Sequence, residues 1–380
     1  MKSFFLKLIV LFNLLLLCGC KQNSTISSDS ATTAKNEIKY AKGLEIYHHK
    51  GYSILMITHP WPDAKTPFTY ILQEKDGIIP DSLEQYPRIS VPIQSVVVTS
   101  TTHIPALELL GVENTLVGFP NTDFISSPKT RKRIDSGQVK EVGTNETLNP
   151  EILIDMVPDV IVSFGLNNSN PTLDNLQKSG LKVLLNGDWN EQSPLGKAEW
   201  IKFFGALYGL DAKAKTIFTS IEKEYQTTLA LAKKATYKPT VLSGAMYQDQ
   251  WFVPQGESWM ALFLKESQSN YLWANTTGTG SLTLPFETIL EKAQTAEFWI
   301  APGDFSSLKE MNNSNPHYSK FEAFKNKKVY SYALHKGAKG GILFFEWSST
   351  RPDWVLKDLI AIFHPELLPS HRPYFFEKLK

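Results

Sequence analysis

Residues 211–235 read DAKAKTIFTSIEKEYQTTLALAKKA, 25 positions with neither glycine nor proline. A stretch free of both breakers continues a helix, and at about 1.5 Å rise per residue this one extends about 40 Å. Ile217, Ile221 and Tyr225 recur every fourth position, so the rod carries one apolar stripe on an otherwise polar surface. A helix of that length between two regions of strand-helix alternation reads as a strut joining two lobes, not as part of either core.

On its N-terminal side, Pro194–Tyr208 is also helical in pattern, with Gly209 as the interruption. Further upstream the chain alternates. Ser95–Thr99 (SVVVT) is an apolar run suited to a strand buried on both faces, and Thr101-Thr102 opens the apolar helix HIPALELL, closed by Gly111. Asn149-Pro150 is an N-cap with proline in the first helical position, and the helix it starts runs through Val157. Strand Val160–Phe164, helix Thr172–Ser179 and strand Lys182–Asn186 follow. Beyond the strut the alternation resumes with strands Thr240–Ala245 and Trp251–Val253, helices Ser258–Lys265 and Pro285–Lys292, strands Phe298–Ala301 and Lys328–Tyr332, and helix Asp353–Phe363. Such repetition implies right-handed crossovers and mostly parallel sheets. The expected fold is two α/β lobes with mostly parallel sheets joined by one long α-helix. Residues 43–75 add strand-like runs, broken at Pro60-Trp61-Pro62, and predict a small N-terminal β appendage.

The N-terminus is read as an export signal. Lys2 and Lys7 form a short positive segment ahead of Leu8–Leu17 (LIVLFNLLLL), which is too short to span a bilayer core of about 30 Å. Leu17-Cys18-Gly19-Cys20 then looks like a bacterial lipobox, with the Cys20 thiol as the lipidation site. Lys21–Asn36 is polar and aperiodic, a flexible tether. The expected plan is a signal peptide at 1–19, lipidated cysteine and tether at 20–37, a β-rich appendage at 38–90, an N-terminal lobe at 91–193, linking helices at 194–236 and a C-terminal lobe at 237–380. The product is expected to be exported and lipid-anchored to the cell envelope, on the periplasmic or cell-surface side.

Composition narrows the function. Thirty-nine Lys and Arg against 38 Asp and Glu give no electrostatic case for nucleic acid. Cys18 and Cys20 are the two cysteines, so after cleavage at Cys20 no disulfide, thiolate metal knuckle or cysteine nucleophile remains. No Gly-x-Ser-x-Gly elbow, P-loop, Gly-x-Gly-x-x-Gly or His-Glu-x-x-His occurs, and no enzyme is expected.

Lipobox, tether, lobe, long helix and second lobe together resemble the cluster III substrate-binding lipoproteins of ABC importers, which capture ferric siderophores, haem or cobalamin. Locally, residues 95–118 (SVVVTSTTHIPALELLGVENTLVG) resemble the family's first strand, loop and helix, and residues 148–160 its "L-x-x-E" helix and following strand. The resemblance covers roughly residues 91–365. It implies a monomer that passes a metal chelate, iron-siderophore foremost, to a permease dimer and its ATPase. It also implies no resident cofactor, the metal being carried by the ligand. In the family a glutamate from each lobe docks onto arginines of the permease. Glu151 and Glu287, in the matching contexts EILI and ETIL, are the candidates, with Glu291 as a weaker alternative to Glu287.

In an open parallel sheet, ligands sit beyond the carboxyl ends of the strands. The loops predicted there are 100–103, 119–124, 164–167 and 187–189 in the first lobe, and 247–251, 256–259, 302–305 and 335–347 in the second. Candidate ligand contacts are Thr101, Thr102 and His103 at a helix start, Lys336 as a cation, and the rings of Trp189, Trp251, Trp259 and Trp347. Trp200, Trp273, Trp299 and Trp354 are assigned to the core. Competing readings are a zinc or manganese transport protein using His103, His335, Asp188 and Asp304, or a surface hydrolase or adhesive lipoprotein.

Overall fold

The computed structural model of the protein describes residues 34–145, 147–167 and 170–380. The signal segment, Cys20 and the tether up to residue 33 lie outside the described residues. Residues 36–380 form one compact unit.

The chain enters through a four-stranded sheet of β1 (Leu44–His49), β2 (Tyr52–Ile57), β3 (Phe68–Glu74) and β4 (Arg88–Val91), in that spatial order. Alternate side chains of β1 to β3, among them Leu44, Ile46, Leu55, Ile57, Tyr70 and Leu72, point into the core that also holds Val96, Val98, Ile104 and Leu107 of the first lobe. The appendage is therefore an added layer over the first lobe. It also covers an edge: the Tyr70 hydroxyl accepts the backbone N–H of Leu185 at 3.1 Å, and burial pushes the Tyr70 phenol up to about 12.

The first lobe's sheet contains β5 (Val96–Val98), β6 (Leu116–Phe119), β7 (Lys140–Glu141), β8 (Val160–Ser163) and β9 (Val183–Leu185), in the order β7-β6-β5-β8-β9. All its pairings are parallel. Every residue of β5, β8 and β9 is buried, as continuous Val, Leu and Ile runs require when helices cover both faces. Its helices are α1 (His103–Leu110), α2 (Pro128–Asp135), α3 (Pro150–Met156) and α4 (Pro171–Lys178). Three of them, α2 to α4, begin with proline behind a Ser or Asn whose side chain accepts a first-turn N–H. The chain leaves β5 to one side for β6 and returns on the other side for β8. This reversal opens a crevice at their carboxyl ends.

The predicted helix 194–208 forms as two pieces, α5 (Pro194–Glu199) and α6 (Ile201–Leu207), joined through Trp200. The strut follows as α7 (Asp211–Ala232), 22 residues or about 33 Å. Its buried residues are Ala214, Phe218, Ile221, Tyr225, Thr228 and Ala232, spaced alternately by four and three. Phe218 joins Ile221 on this face, while Ile217 sits half-buried at its margin. Ala214, Phe218 and Ile221 belong to the first lobe's core, Tyr225 and Ala232 to the second's. One stripe thus serves two cores.

The second lobe has β10 (Thr240–Ser243), β13 (Asn270–Tyr271), β15 (Phe298–Ile300), β16 (Val329–Ser331) and β17 (Glu377–Lys378) in the order β13-β10-β15-β16-β17. Its pairings are parallel except for β17. A separate antiparallel sheet, unforeseen from sequence, is made by β11 (Ala245–Tyr247), β12 (Gln250–Pro254) and β14 (Ser281–Pro285). The helices are α8 (Trp259–Glu266), α9 (Phe286–Ala293), α10 (Leu308–Ser314), α11 (Glu322–Lys325), α12 (Leu343–Trp347) and α13 (Pro352–Phe363).

Candidate functional site: an aromatic cleft between the lobes

A cavity of about 530 Å³ lies between the lobes at the carboxyl ends of β5, β6 and β8. The first lobe lines it with Thr99, Ser100 and Thr101 beyond β5, Phe119 at the end of β6 and Phe124 beyond it, Phe164 beyond β8, and Asn145. The second lobe supplies Asp304 beyond β15 and Gly340, Gly341, Ile342 and Phe345 beyond β16. Phe124 and Phe345, one from each lobe, are 58% and 51% exposed. Large rings left open to solvent at a cavity between lobes are surface still available for burial by a ligand.

The polar wall is largely neutral. Thr101 and Asn145 make no side-chain hydrogen bond with another described residue, whereas the Thr102 hydroxyl is 2.8 Å from that of Ser100. The N–H of Thr102 donates to Ser100 Oγ, that of His103 to the Ser100 carbonyl and that of Ile104 to the Thr101 carbonyl. The helix start at α1 therefore has its first amides engaged within the turn. Lys336 places Nζ 2.8 and 3.1 Å from the two Asp304 oxygens, so its charge is paired beside the cavity.

On the far side of the loop the lobes touch backbone to backbone. A Cβ on Gly341 would lie 2.1 Å from the Phe124 carbonyl oxygen, and one on Gly337 would lie 2.6 Å from Ser126 Cα. Only glycine permits this approach. Behind it Glu346, fully buried, accepts the Ser126 N–H at 2.6 Å. Burial, with the neighbouring Glu108 carboxylate, raises the Glu346 carboxyl to about 7. Glu108 itself accepts the hydroxyls of Ser127 and Thr130 at 2.5 and 2.6 Å.

Of the ligand contacts expected from sequence, Thr101 lines the cavity and Lys336 flanks it through Asp304. The others do not line it: Thr102 bonds Ser100, and the remaining side chains turn elsewhere. His103 is 1% exposed, its ring 5.4 Å from that of Phe204, and burial lowers its pKa; the start of α1 turns it into the core. Trp251 is fully buried, 5.1 Å from Trp299, because β12 turns it inward. Trp259 is half-buried and stacks on Phe344 at 5.8 Å, and Trp347 stacks on Trp354 at 5.9 Å. Trp189 is exposed but does not line the cavity; its carbonyl accepts from Lys197 Nζ. The cavity draws on loops 100–103, 119–124, 164–167, 302–305 and 335–347, while 187–189, 247–251 and 256–259 lie outside its lining. The rings that line the cavity are phenylalanines, and the available signal was a Phe at or directly beyond the end of a buried strand, as at Phe119 and Phe164. Trp200, Trp273 and Trp299 are core as assigned.

The groups weighed for a free-metal site do not converge. His103 and Asp188 are buried, His335 faces Glu377 at 3.6 Å and Asp304 pairs with Lys336. Among the described residues, the set with ligand-like spacing is Glu37, His48 and Asp211, whose atoms lie within 4.8 Å of one another. None of them lines the cleft. Glu151 and Glu287 are both exposed in the first turns of α3 and α9.

Two lobes joined by one long helix enclose a ligand-sized cleft at a topological switch point. The match to the family described as periplasmic binding protein spans residues 96–333. The chain belongs to that family, in its cluster III type, whose members serve ABC transporters as substrate-binding components. Among relatives, it is 25% identical over 367 residues to an uncharacterized lipoprotein of Methanocaldococcus jannaschii, covering 90% of this chain and 85% of that one. Among solved structures, a periplasmic haem-binding protein from Pseudomonas aeruginosa superposes with a TM-score of 0.57 at 18% identity, over 76% of this chain and 98% of that one. A possible iron-binding, periplasmic solute-binding protein from Staphylococcus epidermidis gives 0.55 at 18% identity, over 72% and 99%. These likenesses establish the shared fold.

Proposed function

We propose that this chain is an exported lipoprotein, anchored through Cys20, that captures a metal chelate between its lobes and delivers it to an ABC permease dimer and its ATPase. The observation that carries this reading is the cleft itself, to which both lobes present open phenyl rings. Rings, Ile342, hydroxyls and an amide pack around a chelate whose metal is already saturated; they do not offer the axial ligand that haem iron takes. A ferric siderophore therefore fits best, ahead of cobalamin and haem. The volume lies within the range of about 300–1,000 Å³ typical of sites that enclose small organic ligands. The lipoprotein relative in Methanocaldococcus supports the anchor. Among the described residues no helix is long and apolar enough to cross a membrane, so on this reading the lipid holds the protein to the envelope. Glu151 and Glu287, one exposed on each lobe, are the proposed docking contacts, and no catalytic step is assigned.

Titration calorimetry with ferric siderophores, haemin and cobalamin tests the binding half. Micromolar or tighter binding of one chelate per chain is expected, and silence from every member removes the reading. Fatty-acid labelling that persists in Cys20→Ser would remove the anchor.

A further inference from the structure

Resting on the chelate-receptor reading, we infer that the cleft selects a ferric chelate with no net negative charge, a tris-hydroxamate rather than a tris-catecholate. Each hydroxamate carries one negative charge, so three neutralise a ferric ion; each catecholate carries two, which leaves that complex a trianion.

The charged side chain on the wall is a carboxylate, Asp304. Its cation, Lys336, is bound to both of its oxygens and brings no surplus positive charge. Of the other cations near the lobe junction, Arg131 and Lys197 are committed to protein acceptors, whereas Lys132 lines a neighbouring cavity and not this one. Arg131 donates to the Thr122 carbonyl at 2.8 Å and to Asp135 at 3.1 Å. Lys197 donates to the carbonyls of Asp188 and Trp189, each at 2.9 Å. Lys339, the other cation of the glycine loop, is exposed and does not line the cavity. The first amides of α1, the usual seat for an anion at a strand-helix junction, are spent on Ser100 and Thr101.

A trianion entering this site would desolvate against Phe119, Phe124, Phe164 and Phe345 with a carboxylate beside it. Uncompensated charge in such surroundings is strongly disfavoured. A neutral chelate meets no such penalty. Its ligand backbone packs on the rings, and its carbonyl and N–O oxygens accept from the uncommitted Thr101 hydroxyl and Asn145 amide.

The test is calorimetry on the purified full chain with a ferric trihydroxamate and a ferric tricatecholate, beside haemin and cyanocobalamin. The trihydroxamate should bind at least about tenfold more tightly than the tricatecholate. Asp304→Asn, at an exposed position, frees Lys336 and should narrow that ratio severalfold by strengthening the tricatecholate. Equal or tighter binding of the tricatecholate by the unmodified protein overturns the inference and leaves the receptor reading intact. A ratio unmoved by Asp304→Asn overturns the role given to the Asp304–Lys336 pair. Binding of haemin or cyanocobalamin alone overturns the chelate class, and silence from all four overturns the receptor reading itself.

Discussion

Glu346 of the second lobe accepts the backbone N–H of Ser126 in the first, at 2.6 Å and with no exposure to solvent. One carboxylate thus crosses the line along which the lobes meet, and its other oxygen, Oε1, has no hydrogen-bond partner among the described residues. A second carboxylate, Glu108, and the Tyr374 hydroxyl are the titratable groups that interact with it.

This contact makes the lobe junction pH-sensitive. Burial raises the Glu346 carboxyl from 4.5 to about 7. The buried state therefore favours the protonated form. Its contribution is fully present below about pH 4.5 and is lost as pH rises through about 7. Glu346→Gln keeps an acceptor for Ser126 without the charge. Thermal unfolding should show the variant more stable than the parent at pH 8, by at most about 3 kcal/mol, with the gap closing toward pH 5. A gap independent of pH would show that the carboxyl does not titrate in this range.

Gly341→Ala places a methyl group 2.1 Å from the Phe124 carbonyl. The strain falls between the lobes, where it is relieved by spreading them. Chelate affinity should fall by about tenfold or more, while the unfolding midpoint moves little. Gly340→Ala, where a Cβ meets nothing within 4 Å but φ is 95°, is the comparison. It should cost about 1 kcal/mol of stability and disturb binding less.

Phenylalanine and tryptophan variants separate cleft from core. Phe124→Ala and Phe345→Ala remove half-open rings and should each weaken chelate binding by about 1–2 kcal/mol with near-parental stability. Trp251→Ala empties a fully buried site beside Trp299, Phe286 and Phe321. It should cost about 3–5 kcal/mol of stability. Trp189→Ala should leave both quantities unchanged. Calorimetry and thermal unfolding on the four variants read the two effects independently.

The docking role rests on Glu151 and Glu287. The double alanine variant should bind chelate normally and lose uptake in cells that carry the cognate permease, and Lys at either position should be worse than Ala. A carboxylate that merely favours a helix start costs about 0.3–1 kcal/mol per site when removed. Normal uptake by the double variant would leave these residues that lesser role.

Much of the architecture could be read from local pattern. Val96–Val98, Val160–Ser163 and the long glycine-free run of α7 carry their periodicity, caps and breakers within a few neighbouring residues, and these are the signals that dictate strands, helices and the parallel alternation between them. The carboxyl-end rule then pointed to five loops that line the cavity, but also to 187–189, 247–251 and 256–259, which do not. Which side chains those loops present was not legible, because it depends on turns and partners distant in the chain. Trp251 faces inward only because β14, some thirty residues later, pairs with β12, and His103 is sealed in by Phe204 from α6. The 2.1 Å clearance at Gly341 and the raised pKa of Glu346 exist only where residues 124–127 meet the 337–346 loop, more than two hundred positions away. Long-range packing sets burial, and burial decides which ring can touch a ligand and which carboxyl holds its proton.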